Sequence, residues 1–91
     1  MIHSDLCGPM SFVSLRGYEY YVTFIDDHSK KSWIYFLKSK KSEEVLQSFQ
    51  EFKALVENQT RRKIQVLKSD NGAKYTSKKF DGFCRHEGIR R

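Results

Sequence analysis

Two aspartates stand where their carboxylates could meet. Asp5 lies inside the run Ile2–Cys7, which reads as a strand, and Asp70 lies just past the run from Lys63 to Lys68, which reads as another. If those strands pair, the two carboxylates approach each other although 65 positions separate them in the chain. Carboxylates held close repel, and a divalent cation between them relieves the repulsion. Magnesium suits such a place because it takes hard oxygen ligands and keeps several waters. A few carboxylates and the phosphates of a substrate then complete its shell. The competing reading is a turn, since an aspartate before Asn71-Gly72 can bond its own backbone.

Around Asp70, bases and an aromatic interleave. Lys74, Tyr75, Lys78 and Lys79 follow it closely and are candidates to hold a nucleic-acid backbone beside a metal site. The alternative places Tyr75 in the core and the lysines in water. Asp26 and Asp27 are adjacent, so on a strand they point to opposite faces, and they read as turn formers. His3, His28 and His86 lack a Cys, Ser or Asp at a catalytic spacing and read as surface or loop residues. Cys7 and Cys84 form no CxxC pair, and the expectation is two reduced, partly buried thiols in an intracellular protein. The five glycines are scattered and make no phosphate loop, so no small-molecule cofactor is expected.

The elements that must position these groups follow from periodicity. In Tyr18 to Asp26, Tyr20, Val22 and Phe24 alternate with Tyr21, Thr23 and Ile25. Both sets are mostly apolar, which predicts a strand in the middle of a covered sheet. A polar turn over 26–30 joins it to Ser32–Leu37, and the short spacing predicts an antiparallel hairpin. Ser42 is the expected N-cap of a helix of roughly four turns. Glu43 and Glu44 sit in its first turn, Val45, Leu46, Phe49, Phe52, Leu55 and Val56 form its apolar stripe, and Asn58-Gln59-Thr60 ends it. A short strand over 63–68 and a second helix from about Ser77 to His86 complete the order, with Phe80, Phe83 and Cys84 inward. This is a mixed sheet with helices packed on it.

Ninety-one residues allow one domain. No run is long and apolar enough to span a membrane, and Met1-Ile2-His3-Ser4-Asp5 does not read as a secretory signal. Residues 1–60 carry 7 basic and 8 acidic side chains, whereas residues 61–91 carry 10 and 3, a net of +7 for the final third. That asymmetry points to a polyanion, most simply nucleic acid, against the alternative of a solvated basic face.

Several segments resemble the catalytic core of copia-type LTR retrotransposon integrases, within the retroviral integrase superfamily. They are His3-Ser4-Asp5-Leu6-Cys7-Gly8-Pro9-Met10, Tyr21-Val22-Thr23-Phe24-Ile25-Asp26-Asp27-His28-Ser29, Trp33-Ile34-Tyr35-Phe36-Leu37-Lys38, Phe52-Lys53-Ala54-Leu55-Val56-Glu57-Asn58-Gln59, Ser69-Asp70-Asn71-Gly72 and Gly88-Ile89. The resemblance implies an α/β, ribonuclease H-like mixed sheet with helices packed on it, incomplete at the C-terminus. Residues 1–91 would be a partial integrase catalytic core domain holding its first four strands and two helices.

It also implies magnesium or manganese, DNA as the partner, and a reaction that trims DNA 3′ ends and joins them to target DNA. Two ions roughly 3.5–4 Å apart would activate the nucleophile and stabilise the leaving oxygen. Asp5 matches the first family carboxylate and Asp70 the second. The family's third, a glutamate on a later helix, has no match: 21 residues follow Asp70, and Glu87 is not at the family's spacing. Ala73 and Lys74 replace the family's usual glycine and acid, and Arg61 stands where a glycine is common. A turn with positive φ would suit that arginine poorly.

The expectations are therefore a fragment of an integrase core, inactive alone because the third carboxylate is missing, or a non-catalytic nucleic-acid-binding module using the basic segment 61–91. A ribonuclease H acting on hybrids, with Glu43 or Glu44 as its helical acid, is a third reading. Nuclear location follows from the resemblance only. An uncovered sheet edge and apolar surface lead us to expect self-association.

Overall fold

Strict alternation of side chains builds the hairpin that organises the sheet. The computed structural model describes residues 1–8, 17–39, 41–69 and 78–91. Along the chain these form β1 (Ile2–Cys7), β2 (Tyr20–Asp26), β3 (Ser32–Leu37), α1 (Ser42–Thr60), β4 (Leu67–Ser69) and α2 (Lys78–His86). The sheet runs β3-β2-β1-β4. β2 pairs antiparallel with β3 and with β1, while β1 and β4 run parallel. Among the described residues the arrangement is an α/β mixed sheet with helices on it.

The even-numbered residues of β1 and β2 turn inward. Ile2, Ser4, Val22 and Phe24 are buried, and Val45, Phe49, Phe52 and Val56 of α1 meet them from above. Phe24 stacks on Phe52 with ring centroids 4.6 Å apart, and Phe49 stacks on Phe80 of α2 at 5.5 Å. This aromatic column joins sheet, first helix and second helix. Each buried phenylalanine contributes about 1.5–3 kcal/mol through burial.

Several sequence expectations need correction. The α1 cap is Lys41, not Ser42, and no side chain caps the helix there. The carboxylate of Glu44 instead accepts the Lys38 and Ser39 N–H groups at 3.1 and 3.3 Å and the Ser39 hydroxyl at 3.0 Å. The helix does end at Thr60, as expected, and Arg61 caps it with φ 58° and its N–H bonded to the Glu57 carbonyl at 2.8 Å. Positive φ at this arginine is the strain expected from its place in the sequence. Leu55 sits off the buried stripe and is 40% exposed.

β4 is shorter than the run from 63 to 68 because its first half is engaged elsewhere. The Ile64 N–H donates to Glu57 Oε2 at 2.7 Å, and the Gln65 carbonyl accepts the Arg90 N–H at 2.8 Å. Val66 makes a parallel bridge to Arg90, so the end of the chain lies against the edge of β4. Glu57 also meets Lys53 at 2.8 Å, and Lys53 reaches Glu87 at 2.9 Å, tying α1 to the end of α2.

Candidate metal and nucleic-acid site

Asp5 faces away from the core. Parity along β1 puts His3, Asp5 and Cys7 on the face opposite Ile2 and Ser4. Across the sheet Asp5 sits beside Thr23, which sits beside Ile34, and Cys7 sits beside Tyr21, which sits beside Phe36. Among the described residues no element packs on this face. Ile25, Ile34 and Phe36 are 40%, 56% and 57% exposed, so β2 is central but covered on one side only.

Asp5 itself is exposed. The Cys7 thiol donates to Asp5 Oδ2 at 3.7 Å, and the Thr23 hydroxyl donates to the Asp5 carbonyl at 3.5 Å. Tyr21 is raised above its ordinary pKa, first by its hydrogen bond with Cys7 and then by the Cys7 and Asp5 charges and desolvation. Gly8 closes the strand at φ +136°, where a Cβ would come within 2.5 Å of Tyr20 Cδ1. Only glycine lets β1 turn there against the start of β2.

The register between β1 and β4 sets Ser4 beside Ser69, the residues that precede Asp5 and Asp70. Asp70, Lys74 and Tyr75 themselves lie outside the described residues. Lys78 and Lys79 are exposed in the first turn of α2, the helix that packs against α1 on the covered side. Neither lysine is bonded to Asp5. Among the described residues no three of His, Cys, Asp and Glu cluster as a metal site.

The other sequence candidates fall where their types suggest. Asp26 closes the β2–β3 turn by accepting the His28 N–H at 3.1 Å and the Ser29 hydroxyl at 2.9 Å. Burial alone would raise its pKa, but those hydrogen bonds, the amino terminus and the Ser29 N–H together lower it. Asp27 pairs with Lys30 at 3.3 Å and lies 3.6 Å from His3. Glu44 is taken up at the start of α1 on the covered side, away from Asp5. Cys84 is a free thiol buried in the core, and Cys7 is a free thiol on the open face. Sequence reasoning missed Cys7 and Tyr21 as neighbours of Asp5. The spacing of Asp5 and Cys7, two apart on a strand, was the available signal.

An integrase core domain model matches residues 1–91 in full. The chain belongs to the integrase core domain family. It is 52% identical over 90 residues to the retrovirus-related Pol polyprotein from transposon TNT 1-94 of Nicotiana tabacum, covering 99% of this chain and 7% of that protein. It is 27% identical over 88 residues to the truncated transposon Ty1-A Gag-Pol polyprotein of Saccharomyces cerevisiae, covering 97% of this chain and 7% of that one. The chain thus spans a small part of the curated relatives it matches.

Among solved structures, the simian T-cell lymphotropic virus intasome in complex with PP2A regulatory subunit B56 gamma superposes with a TM-score of 0.78 at 21% identity. That match covers 98% of this chain and 29% of the viral one. The HTLV-2 integrase catalytic core domain in complex with magnesium, in its trimeric form, gives 0.75 at 20% identity, covering 98% and 55%. The fold is ribonuclease H-like, as the resemblance implied, and no helix among the described residues is long and apolar enough to cross a membrane.

Proposed function

We propose that this integrase core segment comes from a copia-type LTR retrotransposon and forms part of a magnesium- or manganese-dependent DNA integration site. Asp5 and Asp70 are its two metal-binding carboxylates, and Lys74, Tyr75, Lys78 and Lys79 are its DNA contacts. The observation that carries the reading is the parallel register of β1 and β4. It sets Ser4 and Ser69 side by side, one residue before each aspartate, on a sheet whose Asp5 face is open.

The donor set fits a hard cation: Asp5 presents exposed carboxylate oxygens, and the thiol beside it donates a hydrogen bond to Oδ2. When bound, the ions would activate a nucleophile and stabilise a leaving oxygen at a phosphodiester. The chain's own part is to hold Asp5 on an interior strand, where the Cys7 thiol donates to its carboxylate and the Thr23 hydroxyl to its backbone carbonyl. With two of the family's three carboxylates, these residues alone are expected to give no strand transfer.

Manganese binding, followed by electron paramagnetic resonance, tests the assignment. Asp5→Asn and Asp70→Asn should each weaken it by about tenfold or more, ~1.4 kcal/mol. Unchanged binding in both variants overturns the site.

A second reading, a non-catalytic nucleic-acid-binding module using segment 61–91, is favoured by the exposure of Arg61, Arg62, Lys63, Lys78 and Lys79. It requires duplex binding that survives Asp70→Asn and weakens steeply with salt.

A further inference from the structure

A cleft of about 780 Å³ opens where the β2–β3 turn meets the end of α1 and the start of β1. Its size is ordinary for a binding site. It lies on the covered side of the sheet, because Ile2 lines it and Asp5 points the other way. The floor is Ile2, Trp33, Val56 and Ile64. The rim carries Lys31 from the turn and Arg62 and Lys63 from the end of α1, three exposed cations from segments some 30 positions apart.

We infer that this cleft binds the phosphodiester backbone of a nucleic acid, as a contact separate from the face that carries Asp5. The charge balance supports an anion. Among the residues lining the cleft the one acid is Asp26, and its carboxylate already accepts the His28 N–H and the Ser29 hydroxyl. Lys31, Arg62 and Lys63 make no ion pair within 4 Å among the described residues. Lys63 does sit near Glu87, but Lys53 holds that carboxylate at 2.9 Å. The C-terminal end of α1 opposes an anion only near its last turn, and Arg61 and Arg62, which follow that turn, offset it.

The aliphatic floor offers little anchor for an apolar peptide, since Ile2, Val56 and Ile64 are 5%, 5% and 8% exposed. The apolar surface left open is that of Met1 and the partly buried Trp33. The charged groups of the rim are cationic, with the side chains of Gln59 and Gln65 beside them. Guanidinium, ammonium and amide donors around one cleft suit the oxygens of successive phosphates. The inference rests on the reading of the chain as a DNA-acting core, but it uses neither Asp5 nor Asp70.

Trp33 makes the cleft observable, since it is the chain's single tryptophan and lines the floor. A short duplex of mixed sequence, titrated into the 91-residue chain, should change Trp33 emission, and salt should reverse the change. Binding is followed in parallel by anisotropy of a fluorescein-labelled duplex. Lys31→Gln/Arg62→Gln/Lys63→Gln should weaken binding roughly tenfold to a hundredfold near 0.1 M salt and flatten the log–log salt slope by about 2–3.

All three positions are exposed, so the variant should keep its circular dichroism. If it does not, Lys31→Gln alone, read by Trp33, decides. Asp5→Asn should leave the Trp33 response intact while losing manganese, which separates failure here from failure of the metal site. A silent Trp33 at saturating duplex, or an unchanged slope in the folded variant, overturns the inference. So does a Trp33 response to polyglutamate but not to duplex, which would assign the cleft to an acidic protein partner.

Discussion

Phe24 and Ile25 are neighbours on one strand and live in different environments. Phe24 is fully buried against Phe49 and Phe52, and Ile25 is 40% exposed on the face that carries Asp5. The covered face holds the molecule together through aromatic stacking. The open face holds Asp5, Cys7, Thr23 and Tyr21 and contributes little packing among the described residues. Stability and the proposed chemistry are therefore separated by the thickness of a strand. Substitutions on the open face can be read for function with the fold intact.

The largest test of that separation is a pair of truncations. Phe24→Ala should cost about 3–5 kcal/mol, enough to unfold a chain this small, whereas Ile25→Ala should cost less than about 1 kcal/mol. Urea denaturation followed by Trp33 emission measures both. Equal costs would mean that the second face is covered after all.

A middle-sized effect concerns the polar link on the covered side. Glu57 accepts from Lys53 and from the Ile64 N–H, so Glu57→Ala leaves a half-buried ammonium and a backbone donor short of partners. A loss of about 1–3 kcal/mol is expected, with faster amide exchange at Ile64. Full protection at Ile64 in the variant would show that the carboxylate is incidental.

The smallest effect sharpens the comparison from the backbone. Arg61→Gly relieves a left-handed residue at the end of α1 and should raise stability by about 0.5–1 kcal/mol, seen as a higher melting temperature. A lower melting temperature would mean that the arginine side chain stabilises the helix end by more than its backbone strain costs.

Much of the fold could be read from periodicity. The alternation through Tyr20–Asp26 and Ser32–Leu37 foretold the hairpin, and the recurrence of Val45, Phe49, Phe52 and Val56 foretold the helix and its buried side. Ends were harder. The cap fell on Lys41 because Glu44 could satisfy the preceding N–H groups from inside the helix, a choice that depends on how the loop folds back. At its other end the helix stops at Thr60, within the segment the sequence marked, where the Thr60 hydroxyl bonds the Val56 carbonyl at 2.8 Å and Glu57 reaches forward to Ile64.

The candidate site divides in the same way. That Asp5 and Cys7 share a face follows from their spacing alone, since a strand repeats every two residues. Which face is open does not follow, because Tyr21, Thr23 and Ile25 look as suited to burial as Tyr20, Val22 and Phe24.

By itself, the sequence determined the strands and helices, the family, and the two aspartates the proposal rests on, because each is written in local pattern or in short matched segments. Tertiary structure alone decided three things. It set β4 beside β1 in parallel register, gave the helices to the Phe24 side, and gathered Lys31 with Arg62 and Lys63 around one cleft. Each of these joins residues far apart in the chain, and such contacts depend on which surfaces bury together rather than on any local preference.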